Sequence, residues 1–328
     1  MNHRRKLLIA LGAGAFAHGL QARAQAPAKL RQIGFFSLSS ARSNASRLAA
    51  FRAGMQELRW VEGRDYAINA SYADGVVKAL PGLAAELVAT QPDLLLVPSD
   101  QDVLLLAQRT KTIPIVFAIT QDPVGNGLAA SLRRPGGNAT GLTSLATELS
   151  AKRLQLLKEA FPRIAHIALL FEPDNVGSAS QAKEIEAAAP RLGLRVTPIA
   201  LRQPADIAPA FKRAIALGVQ AYIVTTGGTI SSQRQVIADH TIRLKVPCMF
   251  ANSEHVEAGG LMSYSASFAD NFRRAAAYVD KIFKGAKPGE LPIQQPVTFE
   301  FVVNLKTAKA LGVTLPPIVM LQANRVIE

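Results

Sequence analysis

Short runs of consecutive apolar residues alternate with longer stretches whose apolar positions recur every three or four residues, from residue 33 onward. The runs at 33–38, 66–71, 94–97, 114–118, 167–171, 194–199, 221–224 and 246–250 are short enough to predict strands. Between them, spacings such as Leu149, Leu154, Leu156 and Leu157 predict helices over 43–58, 80–89, 148–160, 178–189 and 207–217. Strands apolar on both faces and alternating with helices predict an α/β class with parallel sheets covered on both sides.

The pattern occurs twice. Ile113-Pro114-Ile115-Val116-Phe117-Ala118 has the layout of Val246-Pro247-Cys248-Met249-Phe250-Ala251, 133 positions on, and the strand at Ile33 has its counterpart at Ile167. Four strands in the same order on each side predict two Rossmann-like lobes, 25–143 and 144–257. Beyond residue 257 the chain reads as a strand at 260–263, a helix over 268–284, a Pro/Gly-rich stretch, a strand at 298–303 and a helix at 305–311. Parts of 258–328 are expected to cross back to each lobe, making the hinge multi-segment.

The first residues change where such a protein would work. Arg4, Arg5 and Lys6 precede an uncharged apolar stretch, Leu7 to Ala17, and then Ala22-Arg23-Ala24. A positive start, a short apolar segment and an Ala-x-Ala site predict a secretory signal cleaved near Ala24, of the twin-arginine or the general type. The expected location is a periplasm. The formal charge of +13 becomes +9 once that segment is removed, and the remaining basic residues are scattered among acids. Nucleic-acid partners are not expected from such a surface. A lone cysteine, Cys248 in an apolar run, excludes disulfides and multi-cysteine metal sites within the chain.

In open α/β sheets ligands bind beyond the carboxyl ends of the strands. The loops there, 37–40, 98–101, 119–122, 172–175, 225–228 and 252–254, are rich in hydroxyls, amides and carboxylates. That mixture suits a polar or zwitterionic solute, with carboxylates for an ammonium and helix N-termini for a carboxylate. The candidate ligand residues are Ser37, Ser39, Ser99, Asp100, Thr120 and Asp122 from the first lobe, and Asn175, Thr225, Thr226, Ser253 and Glu254 from the second. N-capping of helices is the competing role for each. The serine-hydrolase elbow, zinc-protease and phosphate-loop motifs are absent, and the histidines are dispersed, so no catalytic residue, cofactor or metal is expected.

Longer motifs carry a resemblance. They are Asp122-Pro123-Val124, Arg134-Pro135-Gly136-Gly137-Asn138, Ala151-Lys152-Arg153-Leu154, Val256-Glu257-Ala258-Gly259-Gly260-Leu261-Met262-Ser263-Tyr264 and Asn304-Leu305-Lys306-Thr307-Ala308. The chain resembles the ABC transporter substrate-binding proteins that include tryptophan- and tyrosine-binding receptors. That resemblance implies a type I periplasmic-binding fold, a solute held between lobes, and an ABC permease in the inner membrane as partner of a monomer. A periplasmic ligand sensor for a signalling system is the alternative, followed by an enzyme that uses the cleft. Where members often carry Asp-Pro-Phe-Phe and Trp-Arg, this chain has Gly227-Gly228-Thr229-Ile230 and Asn252-Ser253.

Overall fold

The computed structural model describes residues 29–328. The segment read above as an export signal lies outside the described residues. Strands β1 (Arg31–Ser37), β2 (Tyr66–Tyr72), β3 (Leu94–Val97), β4 (Ile115–Thr120) and β5 (Ala139–Thr143) form a parallel sheet in the order β2-β1-β3-β4-β5. Helices α1 (Ala41–Glu57), α2 (Leu80–Ala89) and α3 (Asp100–Arg109) follow the first three strands. Both faces of the sheet are covered, by one cluster around Phe35, Phe51 and Phe272 and another around Phe36, Leu95 and Phe117. Double coverage is why β3 and β4 are buried at every position.

The second sheet repeats this plan. Helix α4 (Ser150–Ala160) leads to β6 (His166–Phe171), α5 (Val176–Ala188), β7 (Arg195–Ala200), α6 (Ile207–Ala216) and β8 (Ala221–Val224). Helices α7 (Gly228–Ser232) and α8 (Arg234–Arg243), β9 (Cys248–Phe250), α9 (Ser253–Glu257) and β10 (Met262–Ala266) follow. Their strand order, β7-β6-β8-β9-β10, is the order of the first sheet. The duplication visible in the sequence is therefore a duplication of topology.

Helix α10 (Phe268–Phe283) then returns to the first lobe, where it packs against α1 and places Phe272 and Val279 in that core. Asn271 anchors its start, donating to the carbonyls of Ala118 and Thr143 at 3.0 Å each. The chain finishes on the second lobe with β11 (Phe299–Asn304), α11 (Leu305–Leu311), α12 (Pro317–Gln322) and β12 (Arg325–Ile327). β11 runs antiparallel to β10, and β12 is a three-residue edge strand.

The chain thus passes between the lobes three times, at residues 143–150, 266–268 and 294–299. The crossings are tied together. Thr143 N–H donates to Gln294 O at 2.9 Å, and Ser267 N–H donates to Thr298 O at 3.0 Å. Arg153, 1 % exposed, gives Nε to Tyr264 O and Nη1 to Ala146 O, each at 2.7 Å. Its burial pulls the guanidinium down to about 9.

One expectation is corrected. The apolar runs predict four strands per lobe, but the sheets have five and seven. β5 reads Ala-Thr-Gly-Leu-Thr, a buried strand without an apolar run, and the added strands of the second sheet come from the tail. Residues 122–138 form turns, because Pro123, Gly125, Gly127 and Pro135 interrupt any helical run. No helix among the described residues is long and apolar enough to cross a membrane.

Candidate functional site

The carboxyl ends of both sheets face each other across a cleft in which the lobes touch. Ser39 Oγ donates to Gly228 O at 3.2 Å, and Ser43 Oγ donates to Ser231 O at 3.3 Å. Arg47, on the buried stripe of α1, gives Nε and Nη2 to the two Glu254 oxygens at 2.7 and 2.6 Å. The guanidinium also lies 5.4 Å above the Phe268 ring. On the other side of the cleft, Gln121 and Gln181 share polar partners from both lobes. Gln121 Nε2 donates to Thr226 Oγ1 at 3.2 Å, and Gln181 Nε2 donates to Gln121 Oε1 at 3.2 Å. Close approach is possible because Gly228 carries no side chain: a Cβ there would overlap Leu38 of the other lobe.

Between these contacts lies a central cavity of about 40 Å³, lined by Arg47, Ser99, Asp100 and Asp102 from the first lobe. Asn175, Thr226, Gly228 and Asn252 line it from the second. That volume holds a few water molecules. Wider recesses of about 540 and 580 Å³ flank it, the first bounded by Asp122 and Glu148, the second by Lys78 and Asp174. A solute of amino-acid size in the centre therefore requires the lobes to part slightly.

The buried carboxyls are the dominant electrostatic feature. Ser99 caps α3, and its Oγ donates to Asp102 Oδ2 at 2.6 Å, while Leu38 N–H donates to Asp102 Oδ1 at 3.0 Å. Burial pushes Asp102 up to about 7, against these hydrogen bonds and the Arg47 charge. Asp100 accepts from Gln121 N–H at 3.1 Å and Asn126 Nδ2 at 3.2 Å. Burial pushes it up to about 7 as well, with the nearby Asp122 charge adding to the effect. From the second lobe Glu172 accepts from Ile230 N–H at 2.6 Å in the first turn of α7, and burial raises it to about 7. His255, stacked on Phe250 and bonded through Nδ1 to Asn252 Oδ1 at 2.7 Å, is pushed down to about 3 by burial.

The sequence candidates fall into three groups. Ser39, Ser99, Asp100, Asn175 and Thr226 line the central cavity. Ser37, Thr120 and Thr225 are buried behind it: Ser37 Oγ accepts from Ser39 N–H and Asn44 Nδ2, and Thr225 Oγ1 pairs with Ser178 Oγ at 2.6 Å. Thr120 Oγ1 has no partner. Asp122 borders the neighbouring recess and caps a turn through Gly125 N–H, while Ser253 and Glu254 sit at the Arg47 side. Arg47, Asp102, Gln121, Gln181 and Asn252 were not among the candidates. Arg47 carried a readable signal, a charge in the helical stripe Ser43, Asn44, Arg47, Leu48 and Phe51.

Two lobes of duplicated topology that close on a polar cavity define a two-lobed binding protein. A family model described as "ABC transporter substrate binding protein" matches residues 39–327, and the chain belongs to that family. Such proteins bind small-molecule solutes and work with ABC transporters. A tyrosine-binding protein of Clostridioides difficile (strain R20291) is 22 % identical over 283 residues, covering 86 % of this chain and 81 % of that one. The crystal structure of an ABC domain in complex with L-Trp from Streptococcus pneumoniae matches with a TM-score of 0.82 at 26 % identity, over 91 % of this chain and all of the other. A conserved domain protein from Vibrio cholerae O1 biovar El Tor matches at 0.84 and 25 %, with the same coverage. Among the described residues no cluster of metal-ligating side chains occurs.

Proposed function

We propose that this protein is a periplasmic receptor that traps a small solute bearing a protonated amine between its lobes and presents it to the permease of an ABC importer. The observation that carries this reading is the pair of buried carboxyls, Asp100 and Asp102, facing the central cavity, 4 % and 1 % exposed. Burial without an ion-pair partner holds both acids up to about 7, and a bound ammonium supplies the charge that favours their ionised form. Amino acids are within this class, and the tryptophan- and tyrosine-binding relatives support it. The leader-like residues before Gln25 support export, with the protein acting as a monomer.

Closure is the working step. A solute that contacts both lobes only in the closed form shifts the population toward it by its differential affinity. The test is a thermal-shift and calorimetric screen of amino acids, amines, sugars and nucleosides. Amine-bearing compounds should raise the melting temperature, and Asp100→Asn should abolish the rise. A sugar or nucleoside as the tight solute, or an Asp100→Asn variant of unchanged affinity, defeats the reading.

A further inference from the structure

The charge balance around the cavity narrows the solute, on the reading that this cavity is its site. A carboxylate is ordinarily received by a free guanidinium or by the N-terminus of a helix. In this cleft the protein's own acids pair with the guanidinium and meet or stand over several of those N-termini. Arg47 is the one cationic side chain lining the cavity among the described residues, and it gives two donors to Glu254 at 2.7 and 2.6 Å. The first turn of α3 holds Asp100 and Asp102. The first turn of α7 is met by Glu172 through Ile230 N–H. Asp100 Oδ2 reaches over the first turn of α5, 3.0 Å from where a Cβ on Gly177 would stand.

What stays unmatched is negative or neutral. Asp100 and Asp102 have hydrogen-bond donors but no ion-pair partner, the Arg47 donors going to Glu254. Asn252, 1 % exposed and lining the same cavity, has an Nδ2 without a partner, suited to a neutral oxygen.

We propose that the cleft selects an amine that lacks a free carboxylate and carries a hydroxyl or carbonyl oxygen, and that Glu254 sets this choice by occupying Arg47. A zwitterion would bring its carboxylate beside Asp100 and Asp102, with no unpaired cation lining the cavity to receive it. Replacing Glu254 by Gln frees the guanidinium and opens the cavity to amino acids.

Calorimetric titration with matched pairs tests this, each amino acid against the amino alcohol that replaces its carboxylate by a hydroxyl: tryptophan with tryptophanol, tyrosine with tyrosinol, lysine with lysinol. The wild-type protein should bind the amine of a pair at least tenfold more tightly than the amino acid. Glu254→Gln should cut that ratio at least tenfold, through tighter amino-acid binding. The Arg47→Gln/Glu254→Gln double variant removes the ion pair without stranding a charge, and it should keep the amine preference. Equal or tighter binding of the amino acids by the wild type overturns the proposal. So does a ratio unmoved in Glu254→Gln, or a double variant that takes both members of a pair alike. A tight solute indifferent to Asp100→Asn places the site elsewhere and removes the cavity reading itself.

Discussion

The Arg47 guanidinium and the Glu254 carboxylate meet edge to edge across the cleft, one from each lobe, with 207 positions of chain between them. Both are buried in this closed arrangement, and both face solvent once the lobes part. Breaking such a pair by removing one partner costs about 3 kcal/mol, because the other charge is left buried. Arg47→Met should therefore lower the closed-to-open ratio by roughly a hundredfold. Small-angle scattering should show a larger radius of gyration for the variant; an unchanged radius would count against the pair as a clasp.

Gly228 allows a second test of the same closure. A methyl group there would press on Leu38, whose Cβ stands 3.0 Å away, yet that contact exists only between lobes. Overpacking of this kind costs about 1–3 kcal/mol. Gly228→Ala should weaken solute binding about tenfold or more while each lobe keeps its urea midpoint. A variant that binds normally would mean the productive closed form is wider than the contact implies.

Glu172 makes the stability of the folded protein sensitive to pH. Its carboxyl is raised to about 7 by burial, against the N–H groups that open α7. A carboxyl raised in the folded form contributes stability below its ordinary value of 4.5 and loses that contribution as pH rises through about 7. The wild-type melting temperature should thus fall between pH 5 and pH 8 more steeply than that of Glu172→Gln. His255, pushed down to about 3, destabilises in the opposite direction below 6.5, but both proteins share it. Parallel melting curves across this range would refute the assignment.

Arg153 holds the crossings rather than the solute. Its two charged hydrogen bonds join the segment before α4 to β10. Arg153→Met fills similar space but strands the Tyr264 carbonyl, while Ala146 O keeps the Ser150 hydroxyl at 3.1 Å; an unsatisfied buried group costs about 1–3 kcal/mol. Denaturant unfolding should show a destabilisation of about 1–3 kcal/mol. A midpoint unchanged from wild type would show that water replaces the guanidinium.

Much of this architecture was readable because parallel strands buried on both faces cannot hide their apolar runs. β3 and β4 are examples, buried throughout. β5 was not readable, since Thr140 and Thr143 are buried polar residues, the first bonded to Leu291 O. The site was half readable for a related reason. Searching strand ends found Asp100 and Asn175, but side chains alternate there, so Thr120 and Thr225 turned back into the sheet. Arg47 and Gln181 lie on helices from which no strand-end search starts; Arg47 shows in the sequence only as a charge in a helical stripe, and Gln181 only through its bond to Gln121 across the cleft.

The three tied crossings also determine what kind of motion the molecule can make. One covalent link would act as a ball joint, allowing the lobes to swing and rotate about each other. Three links side by side, bonded at Thr143–Gln294 and Ser267–Thr298, act as a door hinge with a single axis. Each closing stroke then brings Gly228 back beneath Leu38 and Glu254 back onto Arg47 in the same register. Discrimination between solutes is thereby written into the travel of one angle, and a cargo slightly too large is felt as a door that does not shut.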